Sequence, residues 1–71
     1  MSWELYEVWT EDEDGHQSLV DTTKSLKEAQ ELAYDSLDNY PIAFICKEIE
    51  DGDSKEIERL TVDDDGYIIN I

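Results

Sequence analysis

The sequence predicts an α+β fold in which one helix packs on a mainly antiparallel sheet of four or five strands, in the order ββαβββ. Segments rich in Val, Ile, Tyr and Trp are separated by three acidic, glycine-containing turns, which is a signal of β-hairpins. A single stretch has apolar residues at helical spacing. The 71 residues have room for one small domain, residues 1–71, which at this size buries only about 60% of its unfolded surface.

The first two strands are predicted to form a hairpin, Trp3 to Thr10 and His16 to Thr22. Large side chains alternate along the first strand, with Trp3, Leu5 and Trp9 on one face and Tyr6 and Val8 on the other. Both faces are therefore apolar, which indicates an inner strand or a second contact surface. The second segment has only Leu19 and Val20 as strong apolar residues, which favours an outer strand.

The helix follows, and its limits are indicated by local signals. Ser25 and Glu28 have the spacing of a capping box at the N-terminus. Apolar residues recur in one stripe at Leu26, Ala29, Leu32, Ala33 and Leu37. The segment Asn39-Tyr40-Pro41 ends the helix after roughly 15 residues, because a residue before proline is pushed out of the helical region.

Three further strands complete the predicted sheet. Ile42 to Glu48 is almost continuously apolar and is expected in the core, followed by Ile57 to Val62 and Tyr67 to Ile71. The single cysteine, Cys46, lies in the core strand and is interpreted as a small buried hydrophobic residue. Because a lone cysteine forms no internal disulfide, we expect a cytoplasmic protein.

Acidic residues dominate the charge, with 20 Asp and Glu against five Lys and Arg, for a net charge of -15. Ten of the acids lie in the turns at Glu11 to Gly15, Glu50 to Asp53 and Asp63 to Gly66. Asp-Gly predicts tight hairpin turns, because both residues tolerate the positive φ that such turns require.

Short connections fix the direction of each element, so the first and third turns and the C-terminus of the helix should meet at one end of the sheet. We call this the acidic end. Its nine carboxylates are Glu11, Asp12, Glu13, Asp14, Asp35, Asp38, Asp63, Asp64 and Asp65. Glu28 and Glu31 extend Asp35 and Asp38 into a carboxylate stripe opposite the apolar stripe. These 11 residues are the predicted partner-binding site, whereas Lys24, Lys27 and Lys55 should lie at the opposite end.

Several function classes are disfavoured by the same composition. A pI near 4.1 opposes direct binding to nucleic acid and to anionic membranes. No signal peptide, apolar membrane span, catalytic constellation or phosphate-binding loop is visible, so we expect no enzyme and no cofactor. A calcium loop aligned on Gly15 places Thr10 where the first aspartate belongs, so no metal ligands are assigned.

The sequence therefore predicts a non-enzymatic acidic module that binds a basic surface of a partner protein. Carboxylates would then stand in for phosphates, in a nucleic-acid-mimicking inhibitor or regulator of a nucleic-acid-binding protein. One alternative is a structural protein that forms homodimers through its sheet face or the C-terminal strand Tyr67 to Ile71. Weak binding of divalent cations and adaptation to high salt are further explanations of the charge.

Overall fold

The computed structural model describes residues 4–49 and 52–71 and confirms the predicted order of elements. These are β1 (Leu5–Glu11), β2 (Gln17–Thr23), α1 (Leu26–Ser36), β3 (Ile42–Glu48), β4 (Ser54–Val62) and β5 (Ile68–Asn70). The strands form one sheet in the order β2-β1-β3-β4-β5, and every neighbouring pair is antiparallel. The α+β class and the inner position of β1 are thus confirmed. Of the predicted residues, Trp3, Glu50 and Asp51 lie outside the described part.

The limits of β1 and β2 differ from the prediction by one residue at the ends His16, Thr22 and Thr10, and the limits of α1, β4 and β5 differ as well. The helix has 11 residues rather than roughly 15, because the chain turns after Ser36. Strand β4 begins at Ser54 rather than Ile57, since Ser54 lies opposite Glu48 in the ladder although it is polar. Strand β5 is shorter than predicted, but the backbone N–H of Ile71 still donates to the carbonyl of Arg59 at 2.9 Å.

The predicted capping box is wrong. Ser25 occupies the N-cap position with extended backbone (φ -129, ψ 132), but its side chain makes no capping hydrogen bond. Its carbonyl instead accepts the N–H of Ala29 at 3.1 Å and the hydroxyl of Thr23 at 2.8 Å. The helix start is therefore held by backbone bonding and by the last residue of β2.

The core lies between α1 and one face of the sheet, with side chains from β1, β3 and β4. Its residues are Tyr6, Val8, Ala29, Ala33, Leu37, Ala43, Ile45 and Leu60, with Leu32 packed at its margin. Val8 and Ile45 lie opposite each other and are fully buried, which is worth about 1.5–3 kcal/mol for each side chain. Leu26 is the exception in the predicted apolar stripe, with 37% of its surface exposed.

Candidate functional site: the acidic end of the sheet

The antiparallel register brings the two acidic turns to the same end of the sheet. Glu11, at the end of β1, lies opposite Ile42, at the start of β3, which in turn lies opposite Thr61 near the end of β4. The β1–β2 turn, the exit of α1 and the β4–β5 turn are therefore adjacent in space. Three strand spacings separate the centres of the two turns, a distance of about 14 Å.

All three glycine-containing turns share the conformation of the glycine and the hydrogen bond that it donates. Gly15, Gly52 and Gly66 have φ of 88, 89 and 89°. In each turn the glycine N–H donates to the carbonyl three residues earlier, at 3.0 Å. Among the described residues only these glycines have positive φ, so aspartate does not take the left-handed conformation that the sequence predicted for it. In the turns at Gly15 and Gly66 the pattern is that of a type I turn followed by a left-handed glycine, which is one standard three-residue hairpin loop.

Aspartate has a different role in the first and third turns, where it caps the loop with its side chain. Oδ1 of Asp12 accepts the backbone N–H groups of Asp14 and His16, both at 2.9 Å. Oδ1 of Asp63 accepts those of Asp65 and Tyr67 at 3.0 and 2.8 Å. The N–H of His16, followed by that of Asp14, lowers the pKa of the Asp12 carboxyl despite its partial desolvation. The carboxylates of Asp12 and Asp63 therefore stabilise the two turns.

Glu11 is also engaged within the protein. It ends β1 rather than belonging to the turn, and only 19% of its side chain is exposed. Its Oε1 lies 3.6 Å from Nη2 of Arg59 and accepts a hydrogen bond from Gln17 at 3.1 Å. Arg59 also lies 3.3 Å from Oε1 of Glu56. Glu11 therefore contributes less to a binding surface than the sequence predicted.

Six carboxylates of the acidic end remain exposed to solvent. They are Glu13, Asp14, Asp35, Asp38, Asp64 and Asp65. Glu28 and Glu31 of the predicted stripe are exposed as well, but Glu28 lies in the first helical turn, far from the acidic end. The predicted 11 residues thus comprise three anchored carboxylates, six exposed ones at one end, and two that extend along the helix.

All four lysines lie toward the opposite end. Lys24 follows β2, Lys27 is in the first turn of α1, and Lys47 lies opposite both Tyr6 and Lys55 in the sheet. Nζ of Lys47 is 2.9 Å from Oε1 of Glu4, whose other oxygen accepts the hydroxyl of Tyr6 at 2.9 Å. The bond to Lys47 lowers the pKa of Glu4, and the same carboxylate raises the pKa values of Lys47 and Tyr6.

Two adjoining clefts open beside the acidic end. One has a volume of about 410 Å³ and lies between β2 and the last turns of α1, with Asp35 and Leu32 in its walls. The other, of about 300 Å³, lies between the first turn and the segment after the helix, and Asn39 and Tyr40 line both. The acidic end is therefore concave on the helix side.

Asp12, Asp14 and His16 bring one possible ligand atom each to within 4.8 Å of one another. Nδ1 of His16 lies 3.6 Å from Oδ2 of Asp12. The hydrogen bonds of the turn are enough to hold these residues together, so the geometry assigns no metal to them. Cys46 is buried on the sheet, and desolvation raises the pKa of its thiol, in keeping with its interpretation as a hydrophobic residue.

No known protein family, curated protein or solved structure matches the chain. Across residues 4–49 and 52–71, no helix has the length and apolar character needed to cross a membrane.

Proposed function

We propose that this protein is a non-enzymatic, cytoplasmic interaction module that binds a basic surface of a partner protein through its acidic end. The observation that carries the proposal is the segregation of charge along the strands. Six exposed carboxylates lie at one end of the sheet, whereas all four lysines lie toward the other. Such a charge distribution steers a basic partner to one end of the molecule.

Folding stability does not account for this placement. Asp35 and Asp38 lie beside the C-terminus of α1, and its last turn has no basic residue. Carboxylates at this position oppose the helix dipole by a few tenths of a kcal/mol to about 1 kcal/mol each. Glu13, Asp14, Asp64 and Asp65 repel one another without capping the turns. A binding role accounts for the placement of these carboxylates.

Imitation of nucleic acid is the form of regulation that we favour. The folded surface of 4991 Å² carries 15 net charges, about one per 330 Å², whereas duplex DNA carries one on the order of every 100 Å². The average charge is too dilute, so mimicry requires local clustering. The two acidic turns supply it, and their separation of about 14 Å is close to the roughly 12 Å width of the DNA major groove.

The test compares two variants of equal net charge. The first neutralises four acidic-end carboxylates, as Glu13→Gln, Asp14→Asn, Asp64→Asn and Asp65→Asn. The second neutralises four carboxylates elsewhere, as Asp21→Asn, Glu28→Gln, Glu48→Gln and Asp53→Asn. A partner is first captured from host extract at low salt and released by high salt, then purified for titration. Asp12 and Asp63 are left intact because they fold the turns.

We expect the acidic-end variant to lose at least tenfold in affinity, because four charge pairs of a few tenths to about 1 kcal/mol each are removed. The matched variant should lose less than about threefold. Competition between this protein and duplex DNA or RNA for the partner would support mimicry. Equal losses in the two variants would refute the role of the acidic end.

Self-association through the edge of β5 is a second candidate. Strand β5 is an edge strand with exposed apolar residues, among them Tyr67 at 70% and Ile71 at 63% exposure. Ile69 pairs with Thr61, and the N–H of Ile71 donates to the carbonyl of Arg59. The N–H groups of Ile69 and Ile71 therefore point toward β4. The N–H groups of Ile68 and Asn70 therefore point outward, where another strand can pair with them.

Asn70→Pro tests this candidate, because it removes an outward N–H group and leaves the internal ladder intact. We expect light scattering of the native protein to show a dimer that depends on concentration and that Asn70→Pro abolishes. A monomer at all concentrations would eliminate the candidate.

A further inference from the structure

The sheet has a second face, directed away from α1, which we call the open face. Its central feature is a row of side chains that crosses all five strands. Register places Leu19, Trp9, Phe44 and Arg59 side by side, and Ile71 lies beside Arg59 through their backbone hydrogen bond. We call these five residues the apolar row, although Arg59 interrupts it between Phe44 and Ile71.

The apolar row is ordered at its centre and exposed at its ends. The rings of Trp9 and Phe44 stack with centroids 6.1 Å apart and planes 5° from parallel. Phe44 is almost fully buried beneath its neighbours, whereas Leu19 and Ile71 are 49% and 63% exposed. In the described part of the chain α1 is the single helix, and it covers the other face. The exposed apolar side chains on this face are Leu19, Ile69 and Ile71, and such groups offer a contact site toward the edges of the sheet.

Glutamates lie beside the apolar row, and Glu11 on one side of it is already held by Arg59 and Gln17. Glu11 lies opposite Ile42 on one side of it, and Glu7 and Glu56 lie opposite Cys46 on the other. Burial, Glu7 and Glu56 raise the pKa of the Cys46 thiol, in that order, which is consistent with carboxylates close to this surface. A complementary partner therefore has an apolar stripe bordered by lysine or arginine on the side of Glu7 and Glu56.

Arg59 shows how a cation is held on this surface. The carbon of its guanidinium group lies 5.0 Å from the centroid of the Phe44 ring. The same group lies within 3.6 and 3.3 Å of Glu11 and Glu56. An aromatic ring with flanking carboxylates is a favourable site for guanidinium or ammonium groups.

A second copy of the protein is a poor match for the open face. Two such faces would bring like-charged glutamate borders together in molecules that each carry -15. The open face covers roughly 400 Å², which is half of the area that a standard interface buries on each partner and is small for a dimer. Four strand spacings give the apolar row a length of about 19 Å. A helix of about 13 residues has the length of the row.

We propose that the open face binds a basic amphipathic helix of a partner protein, with the apolar stripe of that helix on the apolar row and its lysines or arginines against Glu7 and Glu56. The site is separate from the acidic end, and it provides a sequence-selective contact that charge alone does not.

The experiment titrates the ¹⁵N-labelled full chain with an 18-residue peptide of leucine and lysine that is patterned as an amphipathic helix. A peptide of the same composition with scrambled order is the control for charge. We expect the patterned peptide to bind at least tenfold more tightly, with the largest amide shifts along the apolar row. Equal affinity of the two peptides, or shifts confined to the two acidic turns, would overturn the proposal.

Two neighbouring isoleucines give a matched pair of variants. Ile69 lies opposite Thr61 on the open face and Ile68 opposite Val62 on the other face, with exposures of 41% and 42%. Ile69→Ser should weaken binding about fivefold, whereas Ile68→Ser should change it by less than twofold. Amide spectra and thermal midpoints verify that both variants fold. Equal effects would overturn the proposal.

One variant distinguishes failure of the open-face proposal from failure of the acidic-end proposal. It is the variant neutral at Glu13, Asp14, Asp64 and Asp65. It should keep the patterned peptide's affinity within about threefold, since those residues do not border the apolar row. A dimer that Leu19→Ser dissociates in sedimentation experiments would instead identify a second copy as the occupant and refute the proposed helix.

Discussion

The two ends of the sheet are closed by turns that share one glycine conformation and differ in their first residue. At the acidic end that residue is Asp12 or Asp63, whose carboxylate caps the loop. In the turn at the opposite end it is Ile49, which has no such side-chain acceptor, yet the hydrogen bonds around Gly52 are the same. Glycine therefore determines the shape of the turn, and the capping aspartate adds to it. Among the described carboxylates of these turns, Glu13, Asp14, Asp64 and Asp65 serve neither purpose.

The largest expected effect follows from this shared glycine conformation. Replacement of any one of the three glycines by alanine should lower the free energy of unfolding by about 1–2 kcal/mol, because an L-residue is strained at φ near +89°. A Cβ at each site meets nothing within 4 Å, so the three costs should be equal. Urea denaturation of Gly15→Ala, Gly52→Ala and Gly66→Ala measures them. A much smaller cost at Gly52 would contradict the common geometry.

Removal of the cap should cost less and should affect only the acidic end. Asp63→Ala leaves the N–H groups of Asp65 and Tyr67 without their acceptor, and by analogy with helix caps this costs about 1 kcal/mol. Asp63→Asn keeps a side-chain carbonyl and should recover most of the loss. Asp64→Ala serves as the control in the same turn. Equal destabilisation by Asp64→Ala would show that the cap is unimportant.

The fold was largely predictable because its signals are local. Alternation in β1, helical spacing in α1 and glycine in the turns each reflect a short-range constraint. The short connections also predicted which turns share an end. The division of the acidic end into anchored and exposed carboxylates was not predictable, since the pairing of Glu11 with Arg59 joins residues 48 positions apart. The open face was indicated only by the large side chains on both faces of β1.

Neutralising exposed carboxylates should have the opposite effect, because it should stabilise the fold. The gain should be larger at the acidic end than at the opposite end. Asp64→Asn with Asp65→Asn removes like-charge repulsion at the acidic end and should raise the free energy of unfolding by about 0.3–0.5 kcal/mol at low salt. Asp53→Asn, in the turn toward the lysines, should gain less. The gain should disappear near 1 M salt, where screening reaches about 3 Å. Destabilisation by the double variant would mean that these residues support the fold.

The smallest effect is a pH dependence of the cap at Asp12. Hydrogen bonds from His16 and Asp14 hold the pKa of this carboxyl below its ordinary value of 3.8. A lowered pKa in the folded state stabilises the protein above the unfolded pKa, and that contribution is lost as the pH falls through the folded pKa. The thermal midpoint should therefore exceed that of Asp12→Asn at neutral pH, with the difference vanishing in acid. Asp14→Asn removes the same charge from the turn but not the cap, so subtracting its effect corrects for the change in repulsion.

A difference between the native protein and Asp12→Asn that stays constant down to about pH 2 would show that the charge on Asp12 does not contribute to the cap.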